Sequence, residues 1–324
     1  MPNRALRCLA AVLLGVFCLA FARSDTAAKS MVRALLLEPG PSGWTVGLLY
    51  QAPEGSADSA EASDGIRFAA AQGSSLERAM QNAEGALPLD PNYRLCDHLL
   101  LMPGGGWDAL RSYEALVLER RCGRTSALVA ACTFTCAQLS EETEEGGSLL
   151  TGLLQTLKQA RKASPRLYEA GSRGALLLPV LDLGEGGAVL LPEGLFLSER
   201  EQALWEAEPT AAYRLLTGRG ESFAFWLGER PLILRRPLLS VERTEEGSFA
   251  VRLDCQTGPG SAAPTREMLD RLGSVCSRLL AERWAAGQDL LGLGARQALA
   301  LGPGAALDPA KNACPQLRTS VKVY

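Results

Sequence analysis

The chain's one histidine, His98, follows an acid, Asp97, and a histidine backed by a carboxylate is the base of nucleophilic hydrolysis. That chemistry also needs a nucleophile, and no Gly-x-Ser-x-Gly elbow occurs. Neighbouring residues of a strand point to opposite faces, so Asp97 and His98 cannot share a site if this apolar stretch is a strand. His98 therefore reads as a hydrogen-bonded structural histidine at the start of a buried strand. Pro103-Gly104-Gly105-Gly106, just beyond, could offer backbone N–H groups to a phosphate where strand passes into helix. It has neither the Gly-x-Gly-x-x-Gly spacing nor a P-loop lysine, and it reads as a turn. Glu141, Glu142, Glu144 and Glu145 lack the Asp-x-Asn-x-Gly loop of a calcium site and read as a solvated face, in a loop or at a helix start. One histidine without a Cys pair at ligand spacing does not make a zinc site. The expectation is a non-enzyme with no catalytic residue, no metal and no cofactor.

Seven cysteines lie beyond the N-terminal segment, at positions 96, 122, 132, 136, 255, 276 and 314. None forms a Cys-x-x-Cys. Cys132 and Cys136 would stand ~13 Å apart on a strand, beyond disulfide reach. Several sit in apolar surroundings, where a small buried thiol is the plain reading.

The first residues have the form of an export signal. Arg4 and Arg7 precede an apolar run from Cys8 to Ala22, too short to span a bilayer but right for a signal core. Cleavage after Ala22 fits the small residues at Ala20 and Ala22. Lipidation of Cys18 is an alternative, although Phe17 is bulky where a small residue is needed. An uncleaved anchor is a third. Each places the remainder outside the cytoplasmic membrane. The net charge of −3 advertises no nucleic-acid partner, and 47% hydrophobic with 21% charged residues is globular composition.

The elements that position these residues follow from periodicity. Val32–Leu37 and Trp44–Tyr50, joined by Pro39-Gly40-Pro41-Ser42-Gly43, predict a hairpin. Gln51–Asp64 reads as a solvated loop. A helix capped by Ser74 or Ser75 follows. Buried strands are predicted at Asp97–Met102 and Ala127–Ala131, with helices at Asp108–Arg120 and Leu149–Leu157. This alternation predicts an α/β layered unit over 31–172. Over 173–237, strands are expected at Ala175–Leu181, Ala188–Leu191, Gly194–Leu197, Ser222–Leu227 and Leu232–Leu234. Short helices are expected at Glu199–Glu206, capped by Ser198, and at Ala211–Leu216. The unit 238–324 reads as a hairpin, the long helix Arg266–Ala286, a second helix through Leu299, and an alternating terminal strand. The whole is expected to be α+β, or mixed α/β, with three subdomains, each a mixed sheet with packed helices, after a signal or anchor segment over 1–30.

Between the last two helices lies Asp289-Leu290-Leu291-Gly292-Leu293-Gly294, where glycine permits a sharp turn while the leucines stay buried. This segment resembles the C-terminal Asp-Ile-Phe-Gly-Phe-Gly of the Ger(x)C family of spore germination proteins, matching it at Asp289, Gly292 and Gly294. Leu291 and Leu293 stand for the aromatics. Asp97-His98-Leu99 is similar to the family's Ser-His-Leu strand, and Glu193-Gly194-Leu195-Phe196 to its Glu-Gly-Leu-Ala-Val-Phe segment. The matches run in the family's order from about Met31 to Tyr324. Members usually open on a lipidated Cys followed by Trp; Cys18 lies near that position, and no Trp follows it. The resemblance implies a non-enzymatic C subunit of a nutrient germinant receptor at the outer face of the inner spore membrane. Its implied partners are the A-type and B-type membrane subunits, its role receptor assembly or signal relay. From the residues alone, an exported solute-binding protein and a secreted hydrolase remain open.

Overall fold

The computed structural model describes residues 12–15, 29–51, 65–120, 122–145, 148–184, 187–226, 231–244 and 247–324. Cys18, nearly all of the signal segment and most of the expected loop before Asp64 lie outside them. The first sheet is built on four parallel strands, β1 (Ser30–Gly40), β5 (His98–Leu101), β6 (Leu128–Cys132) and β7 (Ala175–Gly184), side by side in that order. Strands covered on both faces must be apolar throughout. Accordingly every residue of β5 and β6 is buried. Antiparallel strands extend the sheet at both edges: β2 (Gly43–Gln51) and β3 (Ile66–Gly73) beyond β1, β8 (Gly187–Ser198) and β9 (Gln202–Trp205) beyond β7. The short β4 (Pro91–Asn92) pairs with the start of β1.

The two faces carry separate cores. Leu35, Leu37, Leu99, Leu101 and Val129 pack under α1 (Leu76–Gly85) and α2 (Trp107–Arg120), with Met80, Leu110 and Tyr113 among their neighbours. Leu36, Leu100, Ala130 and Leu181 pack under α3 (Cys136–Glu145) and α4 (Ser148–Ala160) through Leu139, Leu150, Leu153 and Leu157. Each such side chain contributes roughly 1.5–3 kcal/mol when fully buried. The α1 cap is the one expected, Ser75 Oγ accepting from the Arg78 amide at 3.2 Å. Glu141 and Glu142 are exposed residues within α3, so the acidic run belongs to a helix rather than a loop or a helix start.

After α5 (Tyr168–Arg173), β7, β8 and β9, the helix α6 (Ala207–Thr217) carries the chain to a second sheet. It has the order β10 (Ser222–Phe225), β11 (Leu232–Arg243), β12 (Phe249–Thr257), β13 (Leu317–Val323). Only the β12–β13 pair is parallel. α7 (Arg266–Ala285) packs on this sheet through Leu272, Val275, Cys276, Leu279 and Leu280, the stripe expected from its period. A third core fuses the sheets: Leu177 and Phe196 of the first meet α6, and α6 meets Phe223, Leu234 and Phe249 of the second.

The mixed α+β class is as expected, but the described strands form two sheets, not three. The segment 173–237 is shared between them, with β7–β9 in the first and β10 and the start of β11 in the second. β11 runs through residue 237 rather than ending there. Arg236, at φ 49°, lies where its pairing with β12 shifts register, and a bulge tolerates the missing N–H of Pro237. The expected strands at 188–191 and 194–197 are one strand, β8. The expected helix Glu199–Glu206 is instead a turn and β9: Ser198 Oγ accepts from the amides of Arg200 and Glu201, and Trp205 stacks on Phe196 at 4.5 Å. Strand pairing and ring stacking override the helical propensity of this polar stretch. β3 and α5 had no sequence signal: β3 is alanine-rich, and α5 ends after little more than a turn at Gly174, φ 68°.

Candidate functional site

At the N-terminal ends of β5 and β6 lies a pocket of about 390 Å³, with His98 in its lining. Strand alternation turns His98 toward α4, on the face shared with Leu100, while Leu99 faces α2. Arg33 reaches the pocket from β1 because alternation breaks there. Val32 belongs to the α2 face and Ala34 to the α4 face, and the β1–β2 register shifts between them. Such a bulge re-aims a side chain. Lys158 in the last turn of α4 and Arg161 just past it lie alongside, with Arg124 and Arg166 from the loops flanking β6.

Among the described lining residues one carboxylate, Asp97, stands against these five cations. Asp97 Oδ1 accepts from Arg124 Nη1 at 2.7 Å, and that guanidinium also reaches the Arg94 carbonyl at 3.1 Å. Arg166 Nη1 donates to the Ser126 carbonyl at 3.3 Å. Among the described residues, no carboxylate lies within ion-pair distance of Arg33, Lys158, Arg161 or Arg166. The His98 ring is buried and makes no hydrogen bond among the described residues, contrary to the expected hydrogen-bonded histidine. Burial first, and then the positive charges of Arg161, Arg33 and Lys158 against the opposing pull of Asp97, bring its pKa down to about 4. With Asp97 engaged by Arg124, the two neighbours do not form a hydrolytic dyad.

The Pro103–Gly106 turn is held by contacts from within the fold. Gly105 N bonds to the Met102 carbonyl at 2.8 Å, and Gln202 Nε2 donates to the Gly105 carbonyl at 3.4 Å. The Gln202 side chain lies where a Cβ on Gly106 would stand, 2.3 Å from its Oε1. The side chain of Gln202, from β9, thus packs against this turn. No group of three metal-ligating side chains occurs among the described residues. The seven cysteines are free thiols, six of them buried. Burial pushes Cys96 and Cys276 up to about 12 and Cys255 to about 11.

The Asp289–Gly294 segment is a joint in which each marked residue has its own task. The long helix α7 ends before it, at Gly287 (φ 84°), where Gly287 N reaches the Trp284 carbonyl and Gln288 N the Arg283 carbonyl, a Schellman closure. Asp289 then caps the next helix, α8 (Leu293–Leu301), accepting from the amides of Leu293 and Gly294 at 2.8 Å each. Gly292 precedes α8 in the left-handed region, φ 65°. Gly294 sits so close to the next segment that a Cβ would lie 2.0 Å from the Leu307 carbonyl oxygen. The reversal expected of the two glycines is therefore made by Gly287; Gly292 sets the entry to α8 and Gly294 its packing. Gly194, the other marked glycine, lets β8 approach α6: a Cβ there would stand 3.0 Å from Thr210.

Together these features define a two-sheet α+β protein with a basic pocket at strand ends and a capped helix joint before its last strand. No family model matches the chain, and no curated protein matches it. Among solved structures it is similar to that of the GerBC protein, at 10% identity and a TM-score of 0.41, over 89% of this chain and 96% of that one. Among the described residues no helix is long and apolar enough to cross a membrane.

Proposed function

We propose that this protein is a non-catalytic C subunit of a spore nutrient germinant receptor. It is exported, associates with the membrane at the outer face of the inner spore membrane, and works beside the A-type and B-type membrane subunits in receptor assembly or signal relay. The observation that carries this reading is the joint at Asp289, Gly292 and Gly294. These positions match the Ger(x)C pattern, and each has a physical demand behind it: a carboxylate cap, a left-handed backbone and a backbone contact without room for Cβ. The aromatic positions of the pattern, here Leu291 and Leu293, are both buried, a demand that leucine meets as well. A secreted hydrolase finds no support at His98, whose neighbouring acid is bound to Arg124.

The test is deletion of the gene in an endospore former lacking paralogous receptors, followed by counting spores that lose refractility after nutrient addition. The expected result is loss of the response to at least one nutrient, restored by the wild-type gene. Normal germination with every nutrient would overturn the reading.

A further inference from the structure

We propose that the pocket beside His98 is a binding site for a small, multiply charged oxyanion, a molecule carrying phosphate groups or several carboxylates. Three segments far apart in sequence, at Arg33, at Arg124 and at Lys158 to Arg166, bring five cations to one cavity. Like charges gathered on one concavity repel, and a fold tolerates this most easily where it serves a counter-charge. Among the described residues only Arg124 is paired with a carboxylate, Asp97, the one acid of the lining, so the lining as described carries four positive charges in excess. Guanidinium forks match the oxygens of phosphate and carboxylate, while lysine adds a mobile point charge. The volume, about 390 Å³, suits a metabolite-sized molecule rather than a polymer. Leu95, Leu128 and Leu154 complete the wall and lower the local dielectric, which strengthens each contact.

His98 shares the lining and supplies the readout. As the only histidine of the chain it gives one imidazole signal in a histidine-labelled protein. Its surroundings are Asp97 on its own strand, Arg33 from β1, Lys158 and Arg161 from α4 and the residue after it, and Arg124 and Arg166 from the loops. An anion among these cations offsets their field, so occupancy raises the His98 pKa.

The experiment titrates the full-length protein with inorganic phosphate, pyrophosphate and citrate at constant ionic strength while following the His98 signal. A saturable shift is expected with at least one of them, the phosphate and citrate arms separating phosphoryl from carboxylate ligands. Kd should rise roughly ten-fold for each cation removed in Arg33→Gln and Arg161→Gln. Arg252→Gln, on the second sheet, should leave Kd unchanged. Absence of a saturable shift with all three anions would overturn the proposal, as would an unaltered Kd in the Arg33→Gln/Arg161→Gln protein. If that double variant fails to fold, Arg161→Gln alone, at an exposed position past the end of α4, decides in the same way.

Discussion

The carboxylate of Asp289 accepts from the amide of Gly294 at 2.8 Å, while its other oxygen takes the amide of Leu293 at the same distance. Two of the first N–H groups of α8 are thus satisfied by one side chain. Asp289→Ala should lower the unfolding free energy by about 1–2 kcal/mol in chemical denaturation. Asp289→Asn, with a single acceptor oxygen, should fall between wild type and Ala; equal stability of all three would show that the cap contributes nothing.

Gly292 and Gly294 should respond differently to the same added methyl. Around Gly292 there is open space and only the left-handed backbone resists, so Gly292→Ala should cost about 1 kcal/mol. Gly292→Val, β-branched at positive φ, should cost more. Gly294→Ala must move the Leu307 backbone and should cost more than about 2 kcal/mol. Melting curves rank the three, and a Gly294→Ala protein as stable as Gly292→Ala would contradict the contact.

Arg283 and Glu201 tie the two sheets together. Arg283 Nη1 donates to Glu201 Oε2 at 2.7 Å, and its guanidinium lies 4.8 Å from the Phe196 ring centre and 5.0 Å from that of Trp205. Its side chain is 12% exposed and that of Glu201 34%, so this partly buried pair is screened less than surface pairs. Arg283→Ala should destabilise by roughly 1–3 kcal/mol, combining the partly buried ion pair with the cation–π contacts. Arg278→Ala, which removes an exposed pair with Glu282, should stay within about 0.5 kcal/mol. Urea denaturation of both variants makes the comparison, and equal losses would refute the clamp.

His98 makes stability depend on pH. With its folded pKa near 4 against 6.5 for the free side chain, the unfolded chain binds the proton more readily. Its contribution is fully present above about 6.5 and is lost as pH falls toward 4, on the order of 3 kcal/mol over that window. His98→Asn should flatten this part of the profile. A wild-type profile that tracks the variant between those limits would show that His98 is not the group responsible.

The thiols should be protected by the fold. Burial raises the pKa of Cys96, Cys132, Cys136, Cys255 and Cys276, which keeps them protonated as well as covered. Brief alkylation of the native protein, mapped by mass spectrometry, should modify Cys314, the half-buried one, before these five. Denaturant should equalise them, and rapid native labelling of Cys132 or Cys276 would contradict the packing.

Much of this architecture is legible in the chain because burial on both faces leaves a local trace. The apolar runs at Leu99–Met102, Ala127–Ala131 and Ala175–Leu181 are three of the four parallel strands, and the stripe from Leu272 to Leu280 is the buried side of α7. Ser75 and the Asp289–Gly294 pattern are local too, since caps and left-handed turns join residues a few positions apart. Edge strands leave less: β3 is alanine-rich, and Gln202–Trp205 has a helical composition that pairing with β8 overrules. The tight approaches at Gly194 and Gly294 were also hidden, because their partners, Thr210 and Leu307, come from other segments. The basic pocket belongs largely to the tertiary structure. Lys158, Arg161 and Arg166 share one short stretch, but Arg33 and Arg124 lie far from it in sequence; a bulge in β1, the parallel order of β5 and β6 and the placement of α4 bring them together around His98.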